Sequence, residues 1–281
     1  MNVTVLGASG FIGRPLVAAL RQRGDTVTTA SAREPASAVA ACDGADVVVN
    51  LAGEPVAQRW TPQAKRAIRA SRVDGTRALV DGFTRLERKP RAYVSASAIG
   101  YYGTSDNATF VESSPAGTDF LAEICQAWEA EADRAAAYGM RITKVRTGIV
   151  LGRNGGALAK LLPIFRLGGG GRVAGGKQWT SWIALEDQLG IYLHAIDGVD
   201  GVLDATAPNP VRNEEFTQAL AAAVHRPAII PVPAFALRAM LGEGALVVVR
   251  GQRALPERTL ATGYRFRYET IGAALRAVVA A

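Results

Sequence analysis

The sequence predicts an α/β protein with a doubly wound parallel sheet and a smaller C-terminal lobe. Over the first 151 residues, strand-like and helix-like segments alternate, which is typical of a parallel sheet covered by helices on both faces. The first strand runs directly into a glycine turn, GASGFIG at residues 7–13. After residue 151 the alternation gives way to short segments interrupted by prolines. These observations divide the chain into residues 1–151 and 152–281.

The individual elements follow from the spacing of apolar residues. Between Phe11 and Arg23 apolar residues recur at helical spacing, whereas NVTVL and AYVSASA are short strand-like runs. We expect strands at residues 2–6, 26–30, 45–53, 92–98 and 141–151, and helices at residues 11–23, 62–86 and 118–138. The sequence leaves open whether the strand and helix around residues 181–206 return to the main sheet.

Charge and composition exclude several classes of protein. The net charge of +7 comes from 32 basic and 25 acidic residues, but no run of five or more basic residues occurs, so we expect no nucleic-acid partner. The basic surplus fits either a pocket for an anionic ligand or a plain solvated surface. No uncharged apolar stretch reaches the ~18 residues of a membrane-spanning helix, so we expect no membrane association.

The two cysteines, Cys42 and Cys125, do not form a close pair. The sequence therefore suggests neither a disulfide framework nor a metal site. We expect a reduced, cytoplasmic setting. The oligomeric state is left open.

The turn GASGFIG has the spacing of a dinucleotide-binding turn. The first glycine allows a tight turn, the second lets a pyrophosphate approach the main chain, and the third lets the following helix pack closely. The free N–H groups and positive dipole end of that helix face the phosphates. A purely structural turn is the alternative. The turn predicts a Rossmann-like, dinucleotide-binding domain over residues 1–151. Its predicted cofactor-binding residues are Gly7, Ser9, Gly10, Phe11, Ile12 and Gly13.

The end of the second strand favours NADP(H) over NAD(H). An NAD site usually places an acidic residue there to hold the ribose 2′-hydroxyl. The stretch TTASAREP has Ser31 and Arg33 instead. A guanidinium binds a phosphate through two parallel N–H donors. The Ser31 hydroxyl and the Arg33 guanidinium therefore suit the 2′-phosphate of NADP(H).

Several further segments together resemble the short-chain dehydrogenase/reductase superfamily, in its extended, epimerase-like branch. They are NLAG at residues 50–53, SRVDGTRALVD at 71–81, VSASAIGYYG at 94–103, RTGIVLG at 146–152 and SWIALEDQ at 181–188. The combination is similar to one atypical subgroup whose members are named epimerase family proteins. The resemblance implies further cofactor-binding residues, which are Leu51, Ala52, Gly53, Arg72, Ser95 and Arg146. Arg72 stands where the family has Asn.

The chain departs from the family at the catalytic pair. The family carries Tyr-x-x-x-Lys on the helix after the serine strand, but this helix reads TDFLAEICQAWEAEADRAA, with Leu121 and Cys125 at the two positions. The family's serine persists as Ser97. Tyr101 and Tyr102 are the candidates for a substitute proton donor, with packing as the alternative. Cys125 is a weaker candidate, because a thiol on a helix face is more often a small buried apolar group.

A second departure is the short connection between the second and third strands. Only sixteen residues separate Ala30 from Val47. This leaves room for a short helix but not for the further strand that the family usually places there. We expect a shortened sheet edge and a more open adenine face.

Two functions follow as hypotheses. The first is an NADP(H)-dependent oxidoreductase or epimerase-like enzyme that acts on a carbinol or carbonyl of a small-molecule substrate. The resemblance implies a sugar nucleotide as the substrate. The glycine-rich loop at residues 168–179, which carries Arg172 and Lys177, would bind its diphosphate or act as a lid. The second is a non-catalytic NADP(H)-binding sensor or partner-binding protein, which the loss of Tyr-x-x-x-Lys favours.

Overall fold

The structure, a computed structural model, describes residues 1–280 and contains a six-stranded parallel sheet. The strands are β1 Asn2–Leu6, β2 Thr26–Ala30, β3 Val47–Asn50, β4 Ala92–Ala98, β5 Thr109–Phe110, β6 Arg141–Thr147, β7 Ile149–Gly152, β8 Trp179–Thr180, β9 Trp182–Ala184, β10 Gly201–Ala205, β11 Val211–Arg212 and β12 Arg253–Ala254. The helices are α1 Gly13–Gln22, α2 Pro35–Ala40, α3 Pro62–Gly82, α4 Phe120–Asp133, α5 Gly156–Arg166, α6 Leu185–Ile196, α7 Asn213–Ala223, α8 Ala234–Leu241, α9 Leu246–Val249, α10 Glu257–Ala261 and α11 Ile271–Ala280.

The central sheet has the strand order β10-β6-β4-β3-β1-β2, with every pair parallel. The α/β fold class, with its doubly wound parallel sheet, is confirmed. β2 forms one edge of the sheet, since the connection to β3 contains only the short helix α2. β10 forms the other edge and pairs with β6, so a strand from beyond residue 152 belongs to this sheet.

The predicted strand at residues 141–151 is two strands. β6 ends at Thr147 in the central sheet, and β7 begins at Ile149 and pairs with β9 instead. A Cβ on Gly148 would lie 2.6 Å from the Ser181 carbonyl oxygen, so the chain crosses close to a neighbouring segment at this point. The prediction of one continuous strand was wrong because tertiary packing bends the chain at Gly148.

Apolar side chains fill both faces of the sheet. On one face Leu20 of α1 and Ile191 of α6 pack with sheet side chains such as Val3. On the other face α2 and α3 cover Leu6, Tyr93 and their neighbours. A third cluster lies in the C-terminal lobe and includes Leu158, Trp182, Phe216 and Leu275. Burial on both faces explains why the inner strands read as nearly continuous apolar runs.

Within residues 1–280, no helix is both long and apolar enough to cross a membrane.

Candidate functional site

The glycine turn between β1 and α1 is tight and closely packed. Gly7 has a φ of +78°, a conformation that side chains with a Cβ rarely adopt. A Cβ on Gly13 would lie 2.2 Å from the Gly7 carbonyl oxygen. The start of α1 therefore rests directly on the main chain of the turn, and larger residues cannot occupy these positions.

The N-terminus of α1 has the features of an anion-binding site. Its N-cap residue is Ile12, whose side chain accepts no hydrogen bond, and its first turn holds no acidic residue. Within the described part of the chain, the main-chain N–H groups of Phe11 and Ile12 have no acceptor. The Phe11 ring lies against the main chain of Gly152 and Gly155 and so fixes the position of these donors. Uncapped N–H groups at a helix start favour a phosphate.

A cavity of about 620 Å³ opens beside this turn, at the carboxyl ends of β1, β2 and β3. Ser31 and Arg33 are exposed at the end of β2, where the Arg33 main-chain N–H donates to the Ser31 hydroxyl at 3.3 Å. Among residues 1–280, no carboxylate pairs with the Arg33 guanidinium. The turn after β3 forms another wall of the cavity, and Asn50 holds this turn because its Oδ1 accepts the Ala52 N–H at 3.1 Å. The predicted site residues that line this cavity are Gly7, Ser9, Gly10, Ser31, Arg33, Leu51, Ala52 and Gly53.

A second cavity of about 220 Å³ lies next to the first, at the carboxyl ends of β4 and β6. Most of its wall is apolar. The C-terminal lobe covers it with the segment at residues 246–252. Its other walls include Arg72 of α3, Ala98, Leu121, Cys125, Thr147 and Gly148.

Leu121 and Cys125, at the positions of the family's catalytic pair, both line this second cavity. Cys125 is only 4% exposed, and burial raises the pKa of its thiol to about 12. A thiol with a pKa this high is protonated at neutral pH, and the thiolate is the form that acts as a nucleophile. Its geometry agrees with a packing role.

Ser95 and Ser97 lie beneath the cavities, and neither serine lines them. The Ser97 hydroxyl donates to Glu129 Oε1 at 2.6 Å, and the Ser95 hydroxyl donates to the Ala96 carbonyl oxygen at 3.0 Å. Both side chains lie on the face of β4 that α3 and α4 cover, whereas Ala98 at the end of the strand lines the second cavity. Contact of these two hydroxyls with the cofactor or the substrate therefore stays a prediction.

Arg146 and the two tyrosines form a group outside the linings of both cavities. Arg146 is 3% exposed, and its guanidinium binds Glu129 through Nε at 2.8 Å and stacks on the Tyr101 ring at 3.4 Å. The Tyr102 hydroxyl lies 2.8 Å from both carboxylate oxygens of Asp204. None of the three residues lines either cavity, and their predicted roles as proton donors and as a nicotinamide ligand stay predictions.

A buried polar network that sequence reasoning missed surrounds Arg146. Asp204 and Glu129 are both buried, and burial together with Glu112 raises the pKa of Asp204 well above its usual value. Glu112 accepts hydrogen bonds from the Thr259 N–H at 3.0 Å and from the Asp204 N–H at 3.2 Å. The network therefore ties the C-terminal lobe to the sheet below the second cavity. An acidic residue inside the apolar run VLDATA was the one available signal for Asp204.

The two predicted cations of the glycine-rich loop lie elsewhere. Arg172 lies 3.6 Å from Glu214, and Lys177 lines a separate surface depression with Asp106 and Arg212. Neither lines the two cavities at the sheet edge. Within residues 1–280, no cluster of side chains has the composition of a metal site.

The fold and the two adjoining cavities are those of a dinucleotide-binding α/β protein of the Rossmann type. The chain belongs to the NAD dependent epimerase/dehydratase family, whose sequence model matches residues 3–206. A second match, to the domain of unknown function DUF1731, covers residues 232–278. The resemblance to epimerase-like short-chain dehydrogenases/reductases is thereby confirmed.

Three relatives illustrate the similarity. Epimerase family protein SDR39U1 of Homo sapiens is 39% identical over 298 residues, which cover 100% of both chains. The chloroplastic SDR39U1 homolog of Arabidopsis thaliana is 42% identical over 302 residues, which cover 99% of this chain and 87% of the relative. The crystal structure of human SDR39U1 (isoform 2) with NADPH superposes with a TM-score of 0.92 at 36% identity, covering 100% of this chain and 99% of that one.

Proposed function

We propose that the chain binds NADP(H) along the carboxyl edge of its sheet and uses it to reduce a small, mainly apolar carbonyl compound. The proposal rests on the pair of adjoining cavities. One lies beside the glycine turn with its unpaired main-chain N–H groups, and the other has mainly apolar walls. Ligands of open α/β sheets bind at this edge. The NADPH in the structure of human SDR39U1 supports the choice of cofactor.

The start of α1 and the residues of the first cavity together fit NADP(H). The Phe11 and Ile12 N–H groups would bind the pyrophosphate, with Ser9 and Gly10 beside it. The turn at residues 51–53 would pack against the adenosine. Ser31 and the unpaired Arg33 would bind the 2′-phosphate. A guanidinium matches the geometry of a phosphate better than that of a single hydroxyl. NAD(H) lacks that phosphate and is the weaker candidate.

The second cavity favours a small substrate over the sugar nucleotide that the family resemblance implies. Its volume of about 220 Å³ must also hold the reacting end of the cofactor. Pockets for drug-sized ligands typically have volumes of about 300–1,000 Å³. The mainly apolar wall matches an aliphatic or aromatic aldehyde or ketone.

The chain's contribution to the reaction is binding and orientation. Reduced nicotinamide, when bound, supplies the hydride for the carbonyl carbon. Leu121 and Cys125 would shape the site, and the oxygen would take its proton from water. We assign the proton to water because the hydroxyls of Ser97 and Tyr102 are hydrogen-bonded to buried carboxylates.

A screen of NADPH consumption tests this function. We expect turnover with small apolar aldehydes or ketones and none with UDP-sugars. Leu121→Trp, which fills the second cavity, should lower kcat/KM about 100-fold or more, since small displacements of a substrate have effects of this size. The same variant should leave the affinity for 2′-phospho-ADP, the part of the cofactor that lies in the first cavity, within about threefold, or about 0.7 kcal/mol.

Cys125→Ala is the matched control on the same wall. We expect it to retain most of the activity, and its pH profile should match that of the parent chain because the thiol is already neutral. Turnover of a UDP-sugar, or activity unaffected by Leu121→Trp, would contradict the proposed substrate site.

The second candidate function is a non-catalytic NADP(H)-binding sensor. It is favoured by Leu121 and Cys125, which replace the family's proton-transfer pair with one side chain that cannot ionise and one thiol that stays protonated. Tight NADPH binding without consumption across the whole screen would support this candidate.

A further inference from the structure

Arg72 lies where the two cavities meet. It comes from α3, lines the second cavity, and its neighbours Ser71 and Gly53 line the first. Its Nη1 donates to the carbonyl oxygens of Glu54 at 2.9 Å and Ile68 at 3.2 Å. Its guanidinium carbon lies 5.2 Å from the centre of the Trp128 ring. The guanidinium is therefore held in one place before any ligand binds.

The remaining donors of Arg72 have no acceptor in the protein. Within the part of the chain that the structure describes, neither Nε nor Nη2 makes a hydrogen bond, and no carboxylate pairs with the guanidinium. The side chain is half-buried, and burial lowers the pKa of Arg72. A partly desolvated cation with unpaired N–H groups is costly unless a ligand satisfies them.

Two residues with little or no side chain flank this guanidinium. A Cβ on Gly53 would lie 3.0 Å from both Cζ and Nη2 of Arg72, so the glycine lets the charge approach the turn after β3. Cys125, at the position of the family's lysine, is a short side chain that lines the same cavity. The Arg72 charge lowers the pKa of the Cys125 thiol, against the larger effect of burial, so the two groups are within electrostatic reach.

We propose that Arg72, through Nε and Nη2, binds the hydroxyls of the ribose that joins the pyrophosphate to the nicotinamide of NADP(H). The inference rests on the proposed function, because a dinucleotide that spans both cavities must pass their junction. Arg72 thus supplies from α3 the positive charge that the family is expected to place at position 125. It is a cofactor-binding residue that replaces a lysine on a different helix.

Three probes separate the ribose from the rest of the cofactor. They are NADPH, 2′-phospho-ADP-ribose, which keeps the ribose but lacks nicotinamide, and 2′-phospho-ADP, which ends at the diphosphate. Arg72→Ala should weaken NADPH and 2′-phospho-ADP-ribose about 10- to 100-fold, as expected for the loss of hydrogen bonds from a charged donor. Binding of 2′-phospho-ADP should be unchanged. Calorimetric titration gives all three dissociation constants.

A lysine introduced on α4 distinguishes this binding role of Arg72 from a structural one, because it can restore cofactor affinity. In the Arg72→Ala background, Cys125→Lys should recover a large part of the lost NADPH affinity, because its ammonium would reach the same hydroxyls. Arg69→Ala, an exposed arginine on the same helix, is the matched control and should change nothing. Arg72→Gln replaces the alanine variant if that variant does not fold.

Equal loss with all three probes would overturn the inference, since Arg72 would then act on the adenosine or diphosphate half. Unchanged affinity for every probe would also overturn it. A double variant no tighter than Arg72→Ala would overturn the equivalence with lysine. A parent chain that binds neither NADPH nor 2′-phospho-ADP would contradict the proposed function itself.

Discussion

Replacing Arg146 with alanine should lower the free energy of unfolding by about 3–5 kcal/mol, the range for removing one partner of a buried ion pair. The guanidinium binds both oxygens of Glu129 at 2.8 Å, and it also donates to the Tyr102 hydroxyl at 3.1 Å. Without it, the Glu129 carboxylate stays buried with the Ser97 hydroxyl as its remaining partner. The loss therefore reflects an uncompensated charge more than a missing contact.

Urea unfolding followed by circular dichroism measures this loss. Arg134→Ala is the control, since Arg134 pairs with Glu131 and Asp81 at the surface, where water solvates the ions, and should have a far smaller effect. The double variant Arg146→Met/Glu129→Leu should recover stability relative to Arg146→Ala, because it buries no charge. A loss below about 1 kcal/mol for Arg146→Ala would contradict the buried network.

Gly13→Ala should abolish tight cofactor binding, with a loss of NADPH affinity of about 100-fold or more. The new Cβ would lie 2.2 Å from the Gly7 carbonyl oxygen and 2.8 Å from the Ala8 Cα, so the turn must open. Opening displaces the Phe11 and Ile12 N–H groups. Two lost hydrogen bonds to a charged phosphate, at about 1.5–3 kcal/mol each, account for this factor.

Fluorescence titration of NADPH, together with a melting curve, tests the effect of this glycine. Gly272→Ala is the matched control, because Gly272 also lies in the first turn of a helix but has its nearest neighbour, a flexible arginine tip, at 3.4 Å. We expect this control to bind NADPH like the parent chain. An NADPH affinity of Gly13→Ala within about threefold of the parent would show that the turn does not hold the cofactor.

Much of the sheet could be predicted because its signals are local. NVTVL and AYVSASA are strands with the expected bounds, since short runs of this type suit strands buried on both faces. The glycine turn could be predicted because its spacing follows from local steric limits. Gly7 has a positive φ, and Gly13 packs against the main chain too closely for a Cβ. In contrast, the break at Gly148 depends on contact with Ser181, a residue far along the chain.

The depth at which site residues lie could not be predicted. A motif match identifies a serine near the end of β4, but not how deeply its side chain lies between the sheet and α4. Ser97 binds Glu129, one helical turn beyond Cys125 on α4, whereas Ala98 at the end of the strand lines the cavity. The same limit applies to Arg146, whose partners come from distant segments that only the fold brings together.

Comparison of NADPH and NADH affinities tests the central claim, that this edge of the sheet is an NADP(H) site, most directly. The parent chain should bind NADPH at least about tenfold more tightly than NADH, and Arg33→Ala should remove most of this preference, because a guanidinium–phosphate pair contributes about 1.5–3 kcal/mol. Arg91→Ala, an exposed arginine at the amino edge of the sheet, should leave the preference intact. Equal affinity for the two cofactors, or a preference that survives Arg33→Ala, would contradict the account.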